Sequence, residues 1–390
     1  MEDGGELDAW HDWCRRLAAL GELITTDRFP TAAQERAEGF RYLARVTALA
    51  LLRASDFDDP EFPMIGREND DVTKWAGPNV DNIYLRAPVS ARHVYRLTAD
   101  VSASPGFIIQ TLAGWWGDDD FRIGADRSSE QLVIEPDGRV EIVLGGAERP
   151  GNWMPLDDDC NHVMIREYFI DWDTDGRCDF LIERIDDGSS APELLTAARV
   201  GRSLDRAATW LEANVPFWND FVANMVASLP PNSLGAPFQT PLGGADIYYG
   251  NGRVELDDDH VLLIETAVPD ARYWSIQLYS HGWYESLDFA NRQTSLNNTQ
   301  AHIDADGRVR VVIARHDPGV PNWLDLAGHE RAFMHSRAVW CRQAPVPTSR
   351  VVRGDELRQL LPPDHPTVGP DERRARLVAR RAQVLRRHRR

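Results

Sequence analysis

The sequence predicts a mainly β protein with added helices: two jelly-roll-like β-sandwich repeats, N-terminal helices ahead of them and a helical segment between. Three observations predict it. One phrase is written twice, as EPDGRVEIVLGGAERPGNWMPL at 135–156 and DADGRVRVVIARHDPGVPNWLDL at 304–326. Short runs rich in β-branched and aromatic residues recur, with turn signals at the ~8–12-residue spacing of sandwiches and barrels. Two long stretches instead carry a helical period.

From the N-terminus, PTAAQERAEGFRYLARVTALALLRASDF (30–57) reads as a helix. Thr31 is its expected N-cap, Gln34 completes a capping box, and Phe40, Ala44, Thr47, Leu51 and Ala54 mark the buried face. In the first repeat, RVEIVLGG leaves an Asp-Gly turn as a strand, and HVMIREYFIDW and RCDFLIERI are further strands. Leu204, Ala208, Leu211, Val215, Trp218, Val222 and Met225 then alternate spacings of four and three, a helix-packing stripe with a kink or break expected at Pro216. SLPPNSLGAP ends it, and HVLLIETAV, YWSIQLYS and RVRVVIAR are strands of the second repeat. The arginine-rich end, RRARLVARRAQVLRRHRR, is expected to be a solvated helix. The division reads 1–60 helical, 61–190 first sandwich, 191–235 helical connector, 236–355 second sandwich and 356–390 basic tail.

The copies match beyond the shared phrase. FIIQTLAGWWGDDDF (107–121) answers WSIQLYSHGWYESLDF (274–289), pairing Ile109-Gln110 with Ile276-Gln277. Asn152-Trp153 answers Asn322-Trp323, and Arg166 answers Arg337. An element kept in both copies is expected to be architecture: the asparagine ties a turn and the indole fills the sandwich end. The stretch 273–333 resembles the bacterial family of domain of unknown function 1214. AEGFRYLARV (37–46), GPNVDNIYL (77–85) and IREYFIDW (165–172) are similar to other parts of the same long chains, and the PNxDxxY element resembles the related family 1254. The resemblance implies a pair of jelly-roll-like sandwiches with helical additions and supplies little chemistry.

Composition narrows the chemistry. The formal net charge of -18 over 390 residues argues against nucleic acid as partner. Lys74 is the single lysine, so Schiff-base chemistry has one candidate. Four scattered cysteines without a CxxC pair point to a reducing, cytoplasmic setting. No apolar run is long enough to span a membrane, and no signal peptide is apparent. GxSxG, GxxxxGK and GxGxxG are absent, and HERAFMH fails the HExxH spacing. DWDTDG has the start of a calcium loop but is better read as a hairpin turn between strands. No cofactor and no metal are expected.

Candidate site residues are sought where the copies differ. Asn79, Asp81, Asn82 and Tyr84 crowd one turn in the first copy; Asp81 could act as base and Tyr84 as donor. The second copy adds His281, a natural proton shuttle, and Glu285. Trp116, Trp283, Tyr284, Asn79 and Asn82 are candidate substrate contacts, with Arg166 and Arg337 to hold an anion or oxyanion. The expected function is a cofactor-independent enzyme, a lyase or hydrolase, working by acid–base chemistry on a hydrophobic or aromatic small molecule through His281, Asp81, Tyr84 and Glu285. The alternative is a non-catalytic tandem sandwich that binds a ligand or another chain. A small-molecule substrate is the expected partner, and homo-oligomerisation is allowed.

Overall fold

The computed structural model describes residues 5–114, 121–188, 191–240, 243–244 and 246–388. Trp116 lies outside the described residues. The chain packs as two compact units: Met1–Thr73, Asn82–Phe169 and Asp175–Asn219 form the first, and Lys74–Asp81, Ile170–Thr174 and Asp220–Arg390 the second.

Helices α1 (Gly5–Leu23) and α2 (Ala33–Ser55) open the first unit. Its strands are β1 (Gly66–Asn69), β2 (Asn82–Pro88), β3 (Tyr95–Asp100), β4 (Phe107–Ala113), β5 (Arg122–Ser128), β6 (Arg139–Leu144), β7 (Trp153–Met154), β8 (Cys160–Tyr168) and β9 (Leu181–Arg184). They form two sheets, β1-β2-β8-β4-β5 and β7-β6-β3-β9. Helix α3 (Ala197–Ser228) follows. The second unit holds β10 (Ser233–Leu234), β11 (Ile247–Glu255), β12 (His260–Ala267), β13 (Asp270–Ser280), β14 (Ser295–Asn297), β15 (Arg308–Ala314), β16 (Trp323–Asp325), β17 (Arg331–Gln343) and β18 (Thr348–Arg353), then α4 (Leu357–Leu360) and α5 (Pro370–Arg387). Its sheets are β10-β11-β17-β13-β14 and β16-β15-β12-β18, the same order strand for strand. Even a parallel strand pairing recurs, β6 with β7 and β15 with β16.

Each unit is a sandwich because one apolar cluster takes side chains from both of its sheets. Phe107, Ile109, Val163 and Ile165 meet Leu97, Val140 and Ile142 in the first. Ile276, Leu278 and Met334 meet Leu262, Ile264 and Val311 in the second. Alternation along the strands sends the intervening residues to the outer faces.

The repeated asparagine and tryptophan do the same work in both units. Asn152 Nδ2 donates to the carbonyls of Val133 and Glu141, while its Oδ1 accepts from the Val133 amide. Asn322 repeats all three bonds with His302 and Arg310. Trp153 Nε1 donates to the Gly145 carbonyl at 3.0 Å and Trp323 Nε1 to that of Ala314 at 3.1 Å. Each asparagine therefore ties the loop before the Asp-Gly turn to the strand after it, a structural role.

Five local expectations need correction. Helix α2 begins after Ala32, which offers no side-chain cap, so the Thr31 capping box does not form. Its buried face runs through Tyr42, Leu43, Val46, Leu49, Ala50 and Arg53, whereas Phe40 is 48% exposed. The helix is apolar around most of its girth, so periodicity alone selects the wrong stripe. In α3 the expected stripe is buried from Leu204 to Val222 and half-buried at Met225, and the helix runs through Pro216 without a break. The DWDTDG turn is not a hairpin, since β8 and β9 belong to opposite sheets of the sandwich. Finally, α5 is not simply solvated: Arg373, Arg380 and Arg387 are buried.

Candidate functional site

Asp81, the carboxylate singled out by the sequence, lies in the second unit and is 1% exposed. Its Oδ1 accepts from Trp172 Nε1 at 2.6 Å and Asn297 Nδ2 at 3.0 Å, and its Oδ2 from the Tyr273 hydroxyl at 2.6 Å. Its amide donates to Asn79 Oδ1, which also accepts from the Tyr273 hydroxyl and from Gln277. Burial raises the Asp81 carboxyl above its ordinary range, against the pull of these donors and of Arg387 and Arg380. Burial and the neighbouring Asp81 charge push the Tyr273 phenol far up. With both oxygens engaged, this carboxyl group anchors Lys74–Asp81 to the outer face of the β13–β17 sheet.

The remaining candidates of that unit support the same anchor. Arg337 donates to Gln277 Oε1 at 3.2 Å, to the Tyr279 hydroxyl at 2.5 Å and to the Gly77 carbonyl at 2.8 Å. The Tyr284 hydroxyl meets His335 Nε2 at 2.5 Å, and its carbonyl accepts from the Gly77 amide at 2.8 Å. Gly77 has φ +59°, and a Cβ there would fall 2.1 Å from the Tyr284 ring, so only glycine fits. Trp283 is 1% exposed and fills the core. Glu285 is buried and His281 half-buried. Neither is a hydrogen-bond partner of Asp81, and Tyr84 belongs to the first unit.

The first unit presents the equivalent sheet face differently. Strand register sets Tyr84 opposite Arg166, Arg86 opposite Met164 and Pro88 opposite His162. Alternation then gives Asn82, Tyr84, Arg86, Arg166 and His162 one shared face, away from the sandwich core. Arg337 sits opposite Tyr249 in β17 as Arg166 sits opposite Tyr84 in β8, so the two arginines are structural equivalents. Their surroundings differ. Where Arg337 is saturated by Lys74–Asp81 and its neighbours, Arg166 Nη1 is buried without a hydrogen-bond partner among the described residues. So are both side-chain polar atoms of Asn82.

The same unit holds a cavity of about 440 Å³, lined by Arg86 and Pro88 of β2, Ser90 just after it, Cys160 and Asn161 of β8, Arg53 and Ala54 of α2, Asp58, and Arg206 and Trp210 of α3. The Arg53 guanidinium stacks 4.6 Å from the Trp210 ring and pairs with Glu68 at 3.2 Å. Arg86 donates to the Phe57 carbonyl at 3.0 Å; Arg206 donates to the Ala54 carbonyl at 2.9 Å and to Asp58. Burial, with Arg86 adding to it and Glu68 opposing, pulls Arg53 down to about 9. Burial likewise lowers Arg86 and raises Asp58. His162 is held well below the usual imidazole range by burial and by Arg86 and Arg53, so it is neutral. The Cys160 thiol is pushed up to about 11, mostly by burial, and is a poor nucleophile. Three guanidiniums and the Asp58 carboxylate thus line a recess, a donor-rich setting able to hold an anion.

Sequence reasoning reached Asn82, Tyr84 and Arg166 on this face but missed Arg53, Arg86, Arg206 and Trp210. A signal existed for one of them. Arg53 falls on the Val46–Leu49–Ala50 stripe, a cation on an apolar helical face. In the second unit Trp172, Tyr273 and Asn297 were missed; each looks like ordinary turn or strand filling.

Fold and site together define a duplicated β-sandwich protein with a helix-covered, arginine-lined recess on the first copy. The chain belongs to the family described as protein of unknown function DUF1214, whose profile matches residues 250–343. That span lies in the second copy and does not include the PNVDNIY segment. The chain is similar to a crystal structure of an uncharacterized protein from Burkholderia cenocepacia, with 33% identity and a TM-score of 0.82 over 89% of this chain and 97% of that one. The VPA0106 protein from Vibrio parahaemolyticus is 12% identical with a TM-score of 0.45, over 80% of this chain and 98% of that one, too distant to carry an argument. No curated protein matches.

Proposed function

We propose that this protein binds a small organic anion in the first unit, its carboxylate or phosphate against Arg53, Arg86 and Arg206 and its apolar or aromatic body against Trp210 and Pro88. The observation that carries this reading is the cavity of about 440 Å³ ringed by three guanidiniums, a size within the ~300–1,000 Å³ of ligand pockets. The duplication supports it: one copy fills its outer sheet face with its own chain, and the other keeps a recess.

The test is a panel of aromatic and aliphatic carboxylates and phosphate monoesters, screened by thermal shift and followed by calorimetry. A binder raises the Tm of the wild type. Arg86→Met and Arg206→Met each weaken it by about 10–100-fold, the worth of a charged hydrogen bond. Affinity also falls as salt concentration rises, because charged hydrogen bonds carry the binding. A panel without any binder, or variants that bind as well as wild type, would sink the reading.

A further inference from the structure

We infer that the second unit carries a binding site for a first-row divalent cation, zinc by its donor set, formed by His302, Asp304 and His365. The inference is independent of the anion cavity. One ligand atom from each residue lies within 4.8 Å of the others, and bonds of about 2 Å to a shared zinc would place such atoms roughly 3–4 Å apart. His365 Nδ1 is 2.6 Å and His302 Nε2 3.3 Å from the same oxygen, Asp304 Oδ1. The two imidazole planes meet at 87°, so both edges turn toward the carboxylate rather than stacking.

The cluster is held from outside. Asn322 clamps the backbone of residue 302, and Arg310 Nη1 takes Asp304 Oδ2 at 2.7 Å, leaving Oδ1 for the imidazoles. His365 is 2% exposed, and its Nε2 has no hydrogen-bond partner among the described residues. His302 is one-third exposed, which leaves a solvent-facing side for a water ligand. Charge argues for a divalent ion. Arg310 is shared by Asp304, Asp306 and Glu265 at 2.7, 2.7 and 2.9 Å, so three carboxylates surround one guanidinium. Even with Arg308 acting on Asp306, carboxylates outnumber guanidiniums here, a setting that suits a cation.

The first copy lacks this chemistry at the same places. By the asparagine clamp and the turn hydrogen bonds, Val133 replaces His302, Glu135 replaces Asp304 and Glu141 replaces Arg310. His365 comes from the segment between α4 and α5, which follows only the second repeat. Two imidazoles and a carboxylate with an open position suit zinc or its neighbours better than calcium or magnesium, which prefer all-oxygen sets.

The experiment uses the full chain, stripped with a chelator and titrated with ZnCl₂ by calorimetry, and separately with CoCl₂ while the visible spectrum is recorded. Saturable binding of one ion per chain is expected, with the intense visible bands of four-coordinate Co²⁺. His302→Gln and His365→Gln each weaken zinc by more than the ~10–100-fold that loss of an outer-shell partner costs. His316→Gln, at an exposed histidine, leaves it unchanged. Affinity falls as pH drops through the imidazole range, because ligands must be deprotonated. If His365→Gln fails to fold, His302→Gln at the one-third-exposed position decides, its fold checked by circular dichroism. Wild type without saturable binding, or His302→Gln binding like wild type, overturns the site and leaves the cluster a hydrogen-bonded staple.

Discussion

His162 and His335 are both fully buried and both held well below the usual imidazole pKa of 6.5, by burial first and by nearby arginines second. Their folded pKa values are depressed, so on acidification the unfolded chain takes up protons that the folded chain refuses. Stability is therefore present above about pH 6.5 and lost as pH falls below it. Urea denaturation at a series of pH values should show this slope, and a His162→Gln, His335→Gln double variant should flatten it. An unchanged slope would mean that other groups govern acid sensitivity. Asp81 works in the opposite sense: its raised carboxyl contributes stability at low pH that is lost as pH rises through the folded value. None of this was legible in the sequence, where histidines and aspartates carry no mark of burial. His281 drew attention because it differed between the copies, while His162 and His335 sat inside ordinary strand runs.

Helix α5 shows what an element's neighbours add to its pattern. Arg373, Arg380 and Arg387 recur at every second turn, and each hands its guanidinium to backbone carbonyls while stacking on an indole. Arg373 reaches the Val320 carbonyl at 2.5 Å and covers Trp323; Arg380 reaches the Phe289 carbonyl at 2.6 Å and Arg387 that of Val80 at 2.6 Å, both over Trp172. Arg380→Ala should destabilise the second unit by about 2–4 kcal/mol, because it strands a buried acceptor and removes an indole contact. Arg374→Ala, on the solvent side with a side chain 76% exposed, should stay within about 0.5 kcal/mol. Equal effects in urea melts would contradict the buried stripe. The seven-residue spacing was in the sequence, yet a run of arginines gives no reason to bury some of them until partners are known. Helix α2 teaches the same lesson from the apolar side, since nothing in its own letters chose Tyr42 over Phe40.

At the scale of the whole molecule the duplication organises everything. Asn152→Ala and Asn322→Ala each remove three equivalent hydrogen bonds. Each should cost about 2–4 kcal/mol in its own unit, and the double variant should sum them, because the sites share no hydrogen-bond partner. Strongly unequal costs would show that the copies no longer use the motif alike. The repeat, its sandwich class and the architectural role of Asn-Trp were determined by the sequence alone, because strand period, turn chemistry and duplication are written locally or by direct repetition. Only the tertiary structure decided which side chains line the recess of the first copy. Lys74–Asp81 packs as part of the second unit and fills that unit's outer sheet face, while α2 and α3 bring arginines over the first. Such choices depend on contacts between residues far apart in the chain, and no local period encodes them.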